Sequence, residues 1–161
     1  MKRYLFLILF LLSSKLLIFS ETNIIYYLKL NSRNFISLYS NITIEDFNKI
    51  TKINTKELKL SEISSAKRFC EILEIKGETT TPYLIYYDNN CYYLLKGNFK
   101  ADEYLIKKYG NDEKVIERYP ADDKSIKVYK IDFDLQSILK KYFDSNFEQD
   151  LIKSYKKVFF R

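Results

Sequence analysis

The amino-acid sequence predicts an α/β domain that follows a short leader and precedes a mainly helical extension. Segments of strand-like composition alternate along the chain with segments of helical spacing, and from Phe35 onward the predicted order is β-α-β-α-β-β-α. The length of 161 residues suits one domain, since domains of about 100–150 residues are the commonest. Apolar residues make up 47% of the chain, which is enough for a hydrophobic core and excludes global disorder.

The leader covers residues 1–20 and has the layout of a secretory signal peptide. Two basic residues precede a run, 4–13, that is apolar except at its last position, and small residues follow at Ser14 and Ser20. We expect cleavage after Ser20, with cleavage after Ser14 as the alternative. An uncleaved signal anchor is disfavoured because a span needs about 20 apolar residues and Lys15 interrupts this run. The mature chain is therefore expected in the secretory pathway, either in the endoplasmic reticulum lumen or secreted.

The first half of the domain is predicted to contain three strands and two helices. Strands are predicted over 24–30 and 35–39 by their β-branched and aromatic residues, and over 58–62 by alternation. The first helix follows Thr43, because three apolar residues recur there at every third position: Ile44, Phe47 and Ile50. The second helix ends at Gly77 and is predicted by four residues at spacing i, i+3, i+4 and i+7: Ala66, Phe69, Cys70 and Leu73.

The second half of the domain is predicted to be a hairpin and a helix. Strands over 83–87 and 91–96 are joined by Asp88-Asn89-Asn90, a turn rich in residues that tolerate positive φ. A helix over 101–108 follows and is closed by Gly110. The domain is therefore expected to span residues 21–110.

The C-terminal extension, residues 111–161, is predicted to be mainly helical. A helical piece is expected at 113–119 and a strand at 126–131. Two amphipathic helices come last, one capped by Asp134 and one over 147–159. They are expected to dock on the domain.

The stretch RFCEILEIKG and the later stretch TPYLIYYDNNCYYLLKGNFKADEYLIKKY resemble the thioredoxin and protein disulfide isomerase family. In that family a helix that ends near a glycine is followed by a cis-proline, a strand, a polar turn, a second strand and a final helix. The matching parts here are Gly77, Thr81-Pro82 and residues 83–109. The resemblance implies a thioredoxin-like fold over 24–110, with a central mixed sheet flanked by helices.

The resemblance also implies a substrate-binding position at Thr81 and Pro82. A cis-proline exposes the backbone of the residue before it, so Thr81 would offer its amide and carbonyl to an extended polypeptide. The alternative is an ordinary trans-proline at the start of a strand, where the missing donor is tolerated.

The redox motif of that family is absent from the chain. Placing residues 35–39 on the family's central strand puts Thr43 and Asp46 where the resemblance expects the two cysteines. A threonine hydroxyl supplies no thiolate and forms no disulfide, whereas a threonine with an acid three residues later suits a helix N-terminus. The chain also has no histidine, which excludes Ser-His-Asp and Cys-His catalysis.

Two cysteines and one sequon complete the candidate residues. Cys70 and Cys91 are predicted to be small buried apolar residues, with a disulfide between them or a single reactive thiol as alternatives. Two cysteines without histidine cannot complete a zinc site, so neither a metal nor another cofactor is expected. Asn41-Ile42-Thr43 is a possible N-glycosylation sequon.

Three functions follow as hypotheses. The first is a redox-inactive, chaperone-like module that binds unfolded or partner polypeptides. The second is a divergent thiol-disulfide oxidoreductase or isomerase that works through one cysteine, and the third is a secreted subunit of a larger protein assembly. No basic cluster is interleaved with aromatic residues, so nucleic-acid binding is not expected, and membrane binding is not expected after cleavage of the leader.

Overall fold

A computed structural model describes residues 24–30, 38–112 and 116–142. The strands are β1 (Ile24–Leu30), β2 (Leu38–Asn41), β3 (Glu57–Leu58), β4 (Lys67–Lys76), β5 (Thr79–Asp88), β6 (Cys91–Gly97), β7 (Phe99–Ala101), β8 (Arg118–Pro120) and β9 (Ile126–Ile131). The helices are α1 (Ile44–Thr51), α2 (Glu103–Tyr109), α3 (Leu135–Leu139) and a 3-10 helix at Leu60–Ile63. Among the described helices, none has the length and apolar composition needed to cross a bilayer.

Seven strands form one sheet in the order β2-β1-β4-β5-β6-β9-β3, and every neighbouring pair in it is antiparallel. β7 and β8 form a separate two-stranded ribbon. This ribbon belongs to residues 98–125, which we call the crossover segment because they connect β6 to β9. The two strands so connected are themselves neighbours, with Gly97 opposite Ile126.

Each face of the sheet has its own hydrophobic core. On the face covered by α1 and α3, the helical face, the buried residues include Leu28, Phe47, Ile50, Cys70, Ile72, Ile85, Leu94, Leu135, Ile138 and Leu139. The other face is called the crossover face, and its smaller cluster consists of Ile63, Leu84, Leu95, Ile126 and Val128, with Phe99 packed against it. The sheet is therefore buried on both sides along its central strands.

Several local predictions are confirmed. β1 has the predicted bounds, and α1 begins after Thr43, whose Oγ1 accepts from the Asp46 backbone N–H at 3.2 Å. The hairpin between β5 and β6 turns at Asn89 and Asn90, whose φ values are 45° and 65°. α3 begins after Asp134, whose carboxylate accepts from the Ser137 backbone N–H at 3.1 Å. These signals depend only on residues close together in the chain.

The predicted α/β fold is wrong. Of the described residues 47% lie in strands and 22% in helices, and the large sheet is antiparallel rather than a mixed sheet flanked by helices. The decisive error lies at residues 66–73, which were predicted to be helical and instead enter β4. β4 is buried on both faces, so it lacks the alternation of a half-exposed strand, and a bulge between Arg68 and Cys70 shifts its register.

The region beyond Gly110 mixes strands and helices. β8 occupies part of the segment predicted as helical at 113–119, and β9 confirms the strand predicted at 126–131. β9 lies inside the main sheet, between β6 and β3, so the residues after Gly110 share the core of the preceding ones. The predicted leader at 1–20 and the predicted helix at 147–159 lie outside the described residues.

Candidate functional site

Pro82 lies within β5, opposite Leu73 of β4, and not at the start of a strand that follows a helix. All peptide bonds of the described residues are trans, so the cis bond expected from the resemblance is absent. The position still obeys the ordinary rule for a proline in a sheet, because its missing N–H must face away from a paired neighbour. The nitrogen of Pro82 lies on the side of β5 that faces β6, and β5 pairs with β4 on its other side.

The hairpin registers show which backbone groups of β5 point outward. Lys76 and Thr79 flank the two-residue turn between β4 and β5, and residues in this position exchange both main-chain hydrogen bonds. Because the direction alternates along a strand, Thr81, which lies opposite Glu74, also directs its N–H and C=O toward β4. Thr80 and Pro82 therefore direct their main-chain groups to the other side.

β6 pairs with β5 only from Leu84 to Asp88, and the pairing ends where Pro82 would have to donate. By register the residue of β6 opposite Pro82 is Gly97, which pairs with Ile126 of β9 on its other side but forms no pair with Pro82. Among the described residues, 79–83 are thus paired on one side alone. We call this side of residues 79–83 the open edge.

The open edge presents three main-chain groups, carried by two half-buried residues. These are the N–H and C=O of Thr80 and the C=O of Pro82. Thr79 and Thr81 are exposed, and Thr80 and Pro82 are half-buried. An unpaired row of donors and acceptors on a strand can accept another extended chain.

Thr43 and Asp46, the positions where the resemblance expects cysteines, join α1 to the residues after α3. The Thr43 N–H donates to the Tyr142 hydroxyl at 3.2 Å, and the same hydroxyl donates to the Asp46 carboxylate. Lys141 Nζ lies 3.1 Å from Asp46 Oδ1. Asp46 is buried, and its role here is to hold a helix N-terminus against the end of the described chain.

The pKa of Asp46 lies below its ordinary value. Burial acts to raise it, but hydrogen bonds from Tyr142 and Lys141, the charge of Lys141 and a hydrogen bond with Thr43 outweigh burial. A lowered pKa in the folded state means stabilisation that is present above the unfolded-state pKa and is lost as the pH falls through the folded-state pKa.

Replacing Asp46 with asparagine is expected to remove an acid-sensitive part of the stability. The free energy of unfolding of the wild type should exceed that of Asp46→Asn most at pH 7, and the difference should shrink below about pH 4. Urea denaturation at pH 7 and pH 3 measures it, with the exposed Asp123→Asn as the control variant. A difference that stays constant between the two pH values would contradict this account.

The two cysteines are free thiols that lie on different strands. Cys70 of β4 is opposite Ile85 of β5, which is opposite Leu94 of β6, and Cys91 lies three residues before Leu94 in β6. Two strand spacings of about 4.8 Å already exceed the ~7 Å limit on the Cα separation of a disulfide. Burial and then the charge of Glu71 raise the pKa of Cys70, which opposes thiolate formation.

Asn41 is the last residue of β2, and it is exposed. Asn41 lies opposite Tyr27, and the next residue in the chain, Ile42, is buried in the helical-face core. Its glycosylation stays a prediction.

A buried ionic cluster on the crossover face was not predicted. Arg118 Nη1 lies 2.7 Å from Glu71 Oε1, and Lys29 Nζ lies 3.7 Å from Glu71 Oε2 and donates to the Ile116 carbonyl. Burial lowers the pKa of Lys29, although the charge of Glu71 acts to raise it. Burial likewise raises the pKa of Glu71. Glu71 Oε2 accepts no hydrogen bond from the described residues.

This cluster fastens the crossover segment to β1 and β4. Arg68 adds to it by pairing with the Glu117 carboxylate. Lys29 and Glu71 are 1% and 0% exposed, so the groups are positioned for structure rather than for contact with a soluble substrate. The signal in the sequence is a single charge within each of two apolar strands, YYLKL and FCEIL.

Metal binding has no candidate in the part of the chain that the structure describes. No group of three or more Cys, Asp or Glu side chains there stands close enough to hold an ion.

The family model that matches the chain is described as a domain of unknown function, DUF4367, and it matches residues 15–107. The resemblance to the thioredoxin and protein disulfide isomerase family is therefore wrong, in agreement with the antiparallel sheet. No curated protein and no solved structure matches the chain. Because the match covers more than half of the sequence, the chain belongs to the DUF4367 family of domains of unknown function.

Proposed function

We propose that this domain is a non-catalytic module that binds polypeptides by strand addition at the open edge. The observation that carries the proposal is the outward direction of the Thr80 N–H and C=O and the Pro82 C=O, beyond the point at Leu84 where the pairing of β5 with β6 ends. An extended segment laid along residues 79–83 would satisfy these groups with its own main chain, whatever its side chains.

The expected binding is weak and involves only a short segment of the partner chain. Each main-chain hydrogen bond contributes a net ~0.5–1.5 kcal/mol, and three outward groups set an upper limit on the number of bonds. Pro82 removes a donor from the edge, and a proline on an edge strand opposes continuous pairing and aggregation. The edge is thus suited to a reversible contact with one segment.

The proposed setting is the secretory pathway, where the predicted leader would send the chain. Newly translocated chains in that compartment expose extended segments before they fold, and these would be the partners. A fixed subunit that contributes one strand would use the same groups.

Replacing Thr80 with proline is expected to weaken binding of an unfolded client about 2- to 12-fold, because it removes the remaining outward donor. The purified chain is titrated into fluorescein-labelled, reduced and carboxymethylated lactalbumin, and anisotropy gives the Kd. Proline suits this position because the Thr80 N–H makes no bond to β4.

Thr80→Val is the matched control, since it keeps the backbone donor and the branched shape and should bind within about twofold of wild type. Hydrogen exchange of the Thr80 amide provides a second measurement that needs no variant, with slower exchange expected when client is present. Thr80→Pro that binds as well as wild type, or a wild type that binds no client, overturns the proposal.

A further inference from the structure

We infer that the crossover segment opens from the sheet as a unit by local unfolding, while the seven-stranded sheet stays folded, and that its ionic contacts with the sheet set how often it opens. The inference concerns residues 98–112 and 116–125, the described parts of that segment. It is independent of the proposed strand addition at residues 79–83 and needs no partner chain.

The two ends of the crossover segment are held side by side. Gly97, the last residue of β6, lies opposite Ile126, the first residue of β9. The pairing of β6 with β9 runs from this point away from the segment, through Leu94 and Tyr129. The segment can therefore leave the sheet without breaking any of the strand pairs that build it.

Main-chain hydrogen bonds within the segment join one part of it to another. β7 pairs with β8, and neither strand belongs to the seven-stranded sheet. The Asp102 N–H donates to the Glu117 carbonyl at 2.7 Å, which links the start of α2 to the ribbon. A two-stranded ribbon and a helix of seven residues are each marginal in water by themselves. These bonds are therefore expected to form and break together with the docking of the segment on the sheet.

Apolar contact docks the segment only in part. Among its described residues, two apolar side chains are buried, Leu105 and Ile116, and Phe99 is half-buried against the crossover-face core. Tyr104 and Tyr109 of α2 are exposed. This limited burial has to offset the conformational entropy of ordering the whole segment. The central strands of the sheet, in contrast, are covered by apolar clusters on both faces.

Charged side chains supply further docking contacts. Three such contacts are present: Arg118 with Glu71, Glu117 with Arg68, and the Ile116 carbonyl with Lys29 Nζ. In each contact one member belongs to the segment and the other to β1 or β4. All three contacts therefore break when the segment opens.

Burial makes these charged contacts weaker fasteners than their number indicates. Lys29 and Glu71 are almost fully excluded from water while the segment is closed, and Glu71 Oε2 accepts no hydrogen bond from the described residues. Attraction between buried charges offsets their lost solvation only where such partners are complete. Burial lowers the pKa of Lys29 and raises the pKa of Glu71, each toward the neutral form. Opening returns both groups to water, so it costs less free energy than unfolding the apolar sheet.

Native-state hydrogen exchange, followed by NMR under conditions in which rates report opening equilibria, tests the inference. The amides of Asp102, Ile106 and Ala121 are bonded within the segment, whereas Ile85 and Leu94 lie on strands paired on both sides. After correction for intrinsic rates, the three segment amides should exchange at least ~10-fold faster than the two sheet amides. They should also share one urea dependence, smaller than that of the sheet amides.

A variant on the far face of the sheet separates local from global opening. Ile72 is fully buried in the helical-face core, so Ile72→Val should accelerate exchange of the Ile85 and Leu94 amides about 2- to 12-fold. The segment amides should stay within twofold of wild type, because the sheet is folded in both the closed and the open form. Segment amides that accelerate as much as Ile85 and Leu94 would show that the segment opens only when the whole domain unfolds, which overturns the inference.

Glu117→Gln tests the role of the ionic contacts. Loss of the charge that pairs with Arg68 should accelerate exchange of the segment amides about 2- to 10-fold. Glu57→Gln is the matched control, since Glu57 pairs with Lys127 outside the segment, and it should leave the segment amides within twofold of wild type. Segment amides that respond to neither variant, or equally to both, would show that the contact with the sheet does not set the opening.

Discussion

Replacing Glu71 with leucine is expected to lower the free energy of unfolding by about 3–5 kcal/mol. The carboxylate is fully buried between Lys29 and Arg118, and its removal takes the ion-pair partner from the buried Lys29 and one partner from Arg118. Desolvation makes an unpaired buried charge far more costly than the pair was favourable. The loss should be seen by urea denaturation at pH 7 as a lower midpoint with an unchanged slope.

Two comparisons show whether the buried charges are responsible for the lower free energy of unfolding. Glu57 pairs with Lys127 at 3.7 Å on the surface, where both side chains are more than half exposed, so Glu57→Leu should cost less than about 1 kcal/mol. Combining Glu71→Leu with Lys29→Met and Arg118→Leu also removes the two cations that pair with Glu71 and should recover most of the loss. A Glu71→Leu variant within about 1 kcal/mol of wild type would show that the cluster does not hold the crossover segment.

The sequence was sufficient for features set by neighbouring residues. Thr43 before α1, Asp134 before α3 and the Asn89-Asn90 turn each use a side chain or backbone preference that acts within a few residues. β1 was predicted because its β-branched and aromatic composition is unambiguous. Such features recur in many folds, which is why their order alone suggested the wrong family.

β4 could not be predicted in the same way. Its bulge places Phe69 and Cys70 on the same face, and together with Ala66 and Leu73 they reproduce helical spacing by coincidence. Burial on both faces removed the alternation that would have corrected this interpretation. Because β4 was predicted to be a helix, the antiparallel pairing of β1, β4 and β5 could not be predicted.

The candidate site depended on that same pairing. The sequence drew attention to Thr81-Pro82, but the direction of each backbone group follows from the Lys76 and Thr79 register, which requires β4 to be a strand. Thr80, and not Thr81, then carries the outward donor. Arg118 similarly reaches Glu71 from 47 positions further along the chain, a distance over which no local pattern acts.

Gly97→Ala is expected to be among the most destabilising substitutions in the described chain, with a loss of about 4 kcal/mol. Gly97 has a φ of 137°, a backbone conformation that residues with a side chain rarely adopt. A Cβ there would also fall far inside van der Waals contact with the Ser125 carbonyl oxygen, 2.9 Å from the Ser125 carbonyl carbon and 3.1 Å from Ile126 Cα. These are backbone atoms of the first residue of β9 and of the residue before it, so they can move only if β6 and β9 separate.

Gly110→Ala separates the steric contribution from the backbone contribution. Gly110 also has a positive φ, 72°, but nothing lies within 4 Å of where its Cβ would be, so its substitution should cost only the backbone strain of about 1–3 kcal/mol. Thermal and urea unfolding of both variants provide the comparison. The larger loss in Gly97→Ala should come with faster amide exchange at Leu95 and Val128, which face each other beside the glycine. Equal losses in the two variants would mean that the contact with Ser125 contributes nothing and that β9 can shift to admit a side chain.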